Sequence, residues 1–236
     1  MSDLIQPLRG NVANPIRVGN SVHRDTGPWT PAVHALLRHL RERGFDGAPV
    51  PLGFDGDSRE ILEYIEGVDG REVAPTEASL RSAISLIRRF HDATVGFDPS
   101  DRFVWNTKPF MVAESGDAPE IVAHNDLGTW NLIYRSGLAI AIVDWDFAAP
   151  ASRLWDLASA TWCFTPMYPD SLIVRLGYDP SERPSRFRII CDTYGVGDRQ
   201  RLLDVIRLRL HVSHPPDHDY VRFFEAHLSD WGRAFF

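Results

Sequence analysis

One histidine, two asparagines and three aspartates stand close together between residues 121 and 147. His124, Asp126 and Asn131 make the pattern His-x-Asp-x-x-x-x-Asn; Asp144 follows thirteen residues after Asn131, and Asp146 two residues later. Carboxylates gathered in so short a stretch are costly to desolvate unless a cation or a reacting group partners them. An amide and a carboxylate are hard oxygen ligands, and together they leave most coordination positions of a small divalent ion open. A further carboxylate on the other side can orient a hydroxyl and accept its proton. The residue types therefore suit a site in which a cation and a nucleophile are held a few ångströms apart.

A strand, a loop and a hairpin must position these groups. Residues 121–123, 132–134 and 138–143 are apolar and partly β-branched, and the last two runs flank the turn Arg135-Ser136-Gly137. The polar residues then fall at strand ends and in the connecting loop, where a rigid scaffold can aim them. If strand geometry continues past Asp144, Asp146 shares its face and either meets a second metal ion or turns into the next loop.

In protein kinases a catalytic-loop Asp accepts the substrate hydroxyl proton, an Asn five residues on holds Mg²⁺, and a second Asp one hairpin later holds it too. At these positions the chain resembles the aminoglycoside phosphotransferase and choline kinase-like enzymes, small-molecule relatives of the protein kinases. The resemblance rests on His124-Asn125-Asp126 to Asn131, on Val143-Asp144-Trp145-Asp146, and on Leu154-Trp155-Asp156-Leu157-Ala158. Asn125 stands where the family usually has Gly, and Asn also tolerates unusual backbone angles. The resemblance implies an α+β, bilobal protein kinase-like fold: an N-terminal nucleotide-binding lobe at 1–62, a hinge at 63–67, and a mostly helical catalytic and acceptor-binding lobe at 68–236. It implies Mg²⁺ as cofactor and ATP or GTP as phosphate donor. Asp126 would orient and deprotonate the acceptor hydroxyl, His124 would brace the loop, and Asn131 and Asp144 would hold the metal. Asp156 would brace the catalytic loop from behind, beyond the favourable placement of any acid in the first turn of a helix.

The first lobe departs from the family. The turn around Gly10 and Asn11 is either the loop over the nucleotide phosphates or an ordinary surface loop. A Gly19-Asn20 turn between 16–18 and 21–24 signals a hairpin. The Lys expected on the third strand is absent, since the single Lys of the chain is Lys108, and Arg24 is its substitute or else a solvated strand end. Thr30-Pro31 opens a helix, with Thr30 as N-cap, but the position for the helix Glu that pairs with the Lys is Val33, with His34 beside it. The ion pair is therefore expected to be missing, so that Arg24 anchors phosphates without a carboxylate partner or activity is lost. Glu63 and Ile65 fall where the family's hinge backbone meets the purine edge.

Further along, Thr76 caps a helix whose Leu80, Ile84, Ile87 and His91 share a stripe, and His91 reads as a packing histidine. Helices are expected at 152–164, at 199–214 and across 221–231. In relatives the C-terminal region builds the acceptor pocket, and Asp217, Asp219, Glu225 and Asp230 there either read a cationic substrate or form a solvated face, the commoner role of acids on a terminal helix. Composition fits one substantial domain or two small lobes: 236 residues with 44% hydrophobic content. A net charge of −7 argues against nucleic acid as a partner and favours cationic acceptors. No window approaches a membrane span and the start lacks a signal layout, so a cytoplasmic location with no membrane partner is expected. Cys163 and Cys191 have no metal-ligand spacing and read as reduced core thiols.

The function expected is Mg²⁺-dependent transfer of a γ-phosphate to the hydroxyl of a small molecule. Two rivals stand beside it: a nucleotide-binding, degenerate kinase-like protein without catalysis, and a metal-dependent phosphoester hydrolase using His124, Asp126, Asn131, Asp144 and Asp146.

Overall fold

The computed structural model describes residues 5–8, 13–100, 102–107 and 117–236. Gly10, Asn11 and Lys108 lie outside the described residues. The first sheet is antiparallel, in the order β1 (Ile5–Pro7), β2 (Ile16–Val18), β3 (Ser21–Arg24), β5 (Glu60–Glu63), β4 (Pro51–Phe54). Its β2–β3 hairpin turns at Gly19, whose φ of +59° favours a residue without a Cβ, and Asn20. Because β5 pairs with β3 rather than following it in sequence, Arg24 stands directly opposite Glu60 and Ser21 opposite Glu63.

Between β3 and β4 runs α1 (Thr30–Glu42), which buries Val33, Leu36, Leu37 and Leu40. Its N-cap is Trp29, without a side-chain cap bond, rather than Thr30. Thr30 is already in the helix, and its Oγ1 accepts the Gly27 N–H at 3.0 Å, bonding back to the entering loop instead of capping.

After β5 the chain adds β6 (Val68–Asp69) to a second small sheet with β8 (Leu132–Arg135) and β9 (Leu138–Ile142), while β7 (Ile121–Ala123) pairs with β10 (Ala149–Ala151). The helices follow as α2 (Glu77–Thr94), α3 (Arg153–Phe164), α4 (Asp170–Arg175), α5 (Arg183–Tyr194), α6 (Arg199–Ser213) and α7 (Asp219–Ala234). Thr76 Oγ1 caps α2 on the Ser79 N–H at 3.1 Å, and Ser152 Oγ caps α3 on the Trp155 N–H at 3.2 Å. The apolar stripe of α2 packs on β9 and α5, α3 packs on α6, and α6 on α7. One hydrophobic cluster runs from Val33 on α1 through Leu62, Phe90, Trp145 and Trp155 to Phe235. Each large side chain in it contributes roughly 1.5–3 kcal/mol of burial. The first sheet and the helices thus share a core, which fixes the ends of β3 and β5 beside the β8–β9 hairpin. Cys163 and Cys191 are buried free thiols, and among the described residues no helix is long and apolar enough to cross a membrane.

Candidate active site

The His124-to-Asn131 loop leaves β7 and enters β8, so its geometry is set by two strands. Asn125 sits at φ +67°, a left-handed conformation that Asn adopts more readily than most residues. Beneath the loop lies Asp156, fully buried near the start of α3. One of its carboxylate oxygens accepts the Asn125 N–H at 2.8 Å; the other accepts the His124 N–H at 2.8 Å and His91 Nε2 at 3.1 Å. Burial alone would raise this carboxyl, but the hydrogen bond and charge of His91, with His124, hold it below the usual carboxylate range. His91 in turn takes Tyr194 Oη at 2.6 Å on Nδ1, and burial lowers its own pKa. Behind the loop, the Arg209 guanidinium from α6 stacks on Trp155 and donates to the Asn125 carbonyl.

His124 is buried against Trp145, its Nε2 is 3.0 Å from the Val143 carbonyl, and its Nδ1 accepts the Asp126 N–H at 3.3 Å. That pattern suits the tautomer protonated on Nε2, with no nitrogen directed at a reacting group. Asp126 Oδ2 receives Asn131 Nδ2 at 2.9 Å and Trp130 Nε1 at 3.4 Å. Burial raises its pKa; the Trp130 and Asn131 donors pull the other way, and the charge of Asp144 adds to the rise. Because Asn131 spends its Nδ2 on Asp126, its Oδ1 is left for a cation. The Val143 N–H donates to the Asn131 carbonyl at 2.9 Å, which ties the strand leading to Asp144 against this loop. The Asp144 side chain is 44% exposed.

Arg24, Glu63, Ile65, Trp130, Asn131 and Asp144 line one cavity of about 430 Å³, a volume that suits a small ligand. The Glu63 N–H is taken by the Val50 carbonyl at 2.8 Å and the Tyr64 N–H by the Asn20 carbonyl at 2.9 Å, while the Ile65 N–H has no backbone partner among the described residues.

Arg24 corrects the expected loss of an ion pair. It is 7% exposed, not a solvated strand end, and its Nε donates to Glu60 Oε1 at 2.5 Å. The partner comes from β5, through the strand register, instead of from α1; His34 on α1 meets the other Glu60 oxygen at 2.8 Å. The same guanidinium reaches Asp144 Oδ1 at 3.2 Å and pairs with Asp146. Burial opposes its charge, but Asp146, Glu60 and Asp144 outweigh that and raise its pKa further. Among the described residues no three His, Cys, Asp or Glu side chains form a closed metal cage. The donor set is open instead: the amide oxygen of Asn131 and the half-exposed Asp144 fit a hard divalent ion whose remaining ligands are phosphate and water. Glu60, His34 and Arg209 carry no local signal as site residues, because each reaches the site through tertiary contact; Trp130 is part of the loop itself, four residues after Asp126.

Residues 104–188 match the model of the phosphotransferase enzyme family. The chain is 34% identical over 204 residues to a trifolitoxin immunity protein of Rhizobium leguminosarum bv. trifolii, covering 85% of this chain and 77% of that protein. Its fold is similar to that of an ethanolamine kinase from Plasmodium vivax, with a TM-score of 0.62 at 13% identity over 98% of this chain and 82% of that one. It is likewise similar to an aminoglycoside phosphotransferase from Streptomyces rimosus in complex with ADP and streptomycin, with a TM-score of 0.62 at 16% identity over 90% and 92% of the two chains. With these relatives and this site geometry, the chain belongs to the phosphotransferase enzyme family, as a small-molecule kinase of bilobal α+β fold.

Proposed function

We propose that the chain transfers the γ-phosphate of ATP or GTP to a hydroxyl of a small molecule, with the nucleotide spanning residues 63–67 as a hinge. The observation that carries this reading is that Asn131 and Asp144 line the same cavity as Arg24, Glu63 and Ile65, with Asp126 bonded to Asn131 at 2.9 Å behind that lining. The Ile65 backbone N–H, which lines the cavity without a backbone partner among the described residues, would meet the base, and the phosphates would run towards Arg24. Mg²⁺ held by Asn131 and Asp144 would supply charge neutralisation at the phosphates. Asp126, its Oδ2 fixed by Asn131 and Trp130, keeps Oδ1 for the acceptor hydroxyl; it orients that oxygen and takes its proton as the phosphoryl group is transferred. His124 and Asp156 hold the loop still during this step. Calorimetric titration with ATP and with GTP, with and without Mg²⁺, tests the site: Mg²⁺-dependent binding that is absent in Asp144→Ala supports it, and no binding of either nucleotide refutes it.

The relative's name bears on the acceptor. From the name of that relative, 34% identical over 204 residues, and from the phosphotransferase reading, we infer a hydroxyl-bearing antibacterial compound as acceptor rather than a housekeeping metabolite. Cells expressing the chain should tolerate such a compound, and the compound should gain the mass of one phosphoryl group when incubated with chain and nucleotide. Equal tolerance in cells carrying Asp126→Ala would refute it.

A further inference from the structure

We propose that Arg24 is a built-in cation of this active site, taking the place of one of the two divalent ions that a kinase-like site can hold, so that the chain binds a single divalent ion with its nucleotide. The proposal rests on the phosphotransferase reading above.

Two metal ions in a kinase site serve to neutralise the acids and bridge them to phosphate. Here the space between Asp144 and Asp146 is already occupied by a positive charge. The Arg24 guanidinium pairs with Asp146 and lies 3.2 Å from Asp144 Oδ1. It is held from behind: Glu60 stands opposite Arg24 in the β3–β5 register and binds Nε, and His34 engages the far Glu60 oxygen at 2.8 Å. Glu60 and His34 are both nearly fully buried, so this bracket is shielded from solvent and resists displacement. Of the five guanidinium N–H groups, three are spent on Glu60, Asp144 and Asp146, and two remain to face a phosphate.

The two aspartates differ accordingly. Asp146 is 4% exposed and closed off by Arg24, so an incoming ion would have to displace a buried guanidinium to reach it. The Asp144 side chain is 44% exposed and lies beside Asn131 on the cavity, so one ion can approach there with its own water and phosphate ligands. A Lys could not do the same: its ammonium is a point charge, whereas the planar fork of Arg spans several carboxylates at once. This gives a physical reason for Arg at the strand position where the family resemblance implies Lys. The two positive charges of one Mg²⁺ are replaced in part by a side chain that never dissociates.

Counting bound ions tests this. The full-length chain, loaded with one equivalent of a non-hydrolysable ATP analogue and in parallel with the GTP analogue, is titrated with Mn²⁺ while free Mn²⁺ is read by electron paramagnetic resonance. One Mn²⁺ per chain is expected, rising to two in Arg24→Met, which removes the charge and opens Asp146. Two Mn²⁺ in the unaltered chain overturns the proposal, and so does an Arg24→Met protein that retains native circular dichroism yet still binds one. If Arg24→Met fails to fold, the count in the unaltered chain decides by itself. Failure of both analogues to bind refutes the phosphotransferase reading and this proposal with it, whereas nucleotide binding with two ions refutes this proposal alone.

Discussion

Replacing Asp156 with Asn isolates the contribution of one buried carboxylate to the loop that carries Asp126. In the native chain its two oxygens accept three donors: the backbone N–H groups of His124 and Asn125 and the ring nitrogen of His91. Asn keeps the shape but only one acceptor oxygen. With that oxygen facing His124 and His91, the amide NH₂ meets the Asn125 N–H, leaving donors opposed in a site without solvent access. An orphaned buried donor costs about 1–3 kcal/mol, and weakening the remaining charge-assisted bonds adds to that, so Asp156→Asn should destabilise by about 3 kcal/mol. With a urea m-value near the upper end of ~1–3 kcal/mol/M for a chain of this size, the unfolding midpoint should fall by about 1 M at unchanged slope. The turnover number of the folded protein should fall as well, because the loop carrying Asp126 loses the anchor of its two preceding residues. A midpoint shift of less than ~0.3 M, or an unchanged turnover number, would refute the claim that Asp156 holds this loop.

Asp126→Ala should leave nucleotide binding intact and lower phosphoryl transfer by about 10²–10⁴-fold, checked by single-turnover kinetics beside calorimetry. Since burial raises the Asp126 pKa, transfer by the unaltered chain should climb with pH through a value above the usual carboxylate range. Asp144→Ala should abolish the Mg²⁺ dependence of nucleotide binding, read by the same titration with and without the ion. Phe90→Ala removes a fully buried ring packed 4.9 Å from Trp145, and should cost about 3–5 kcal/mol in denaturant unfolding. For His91, burial puts the folded-state pKa below the unfolded one, so the unfolded chain binds the proton more readily. Its contribution is therefore complete above about pH 6.5 and lost as pH falls through the lower folded-state value, and His91→Gln should flatten that slope in midpoints measured between about pH 8 and pH 5.

What could be read from the sequence and what could not divide along chain distance. His124, Asp126, Asn131 and Asp144 fall within a strand, a loop and a hairpin, so their mutual placement follows from local geometry and the pattern alone is enough to suggest it. The partner of Arg24 does not follow, because Glu60 is thirty-six residues away and reaches it only through the order in which β3, β5 and β4 pair. Looking along α1 for an acid at the expected place finds Val33 and concludes that the pair is lost, yet the same helix contributes His34 to the far side of Glu60. His91 shows the same limit: its position on the apolar stripe of α2 correctly predicts burial, but only packing against α3 and α5 turns it into the link between Asp156 and Tyr194. Arg209 is one more helical arginine until α6 packs on α3 and brings it onto the Asn125 carbonyl. The acids proposed to do the chemistry are thus local, as are the Asn131 and Trp130 donors to Asp126, whereas the cation paired with Asp144 and Asp146 and the donor from His91 to Asp156 come from elsewhere. That division is what electrostatics requires. A run of carboxylates cannot neutralise itself, so compensation must arrive from another element, and the strand register that delivers Arg24 to Asp144 and Asp146 is as much a part of the proposed active site as the loop that carries Asp126.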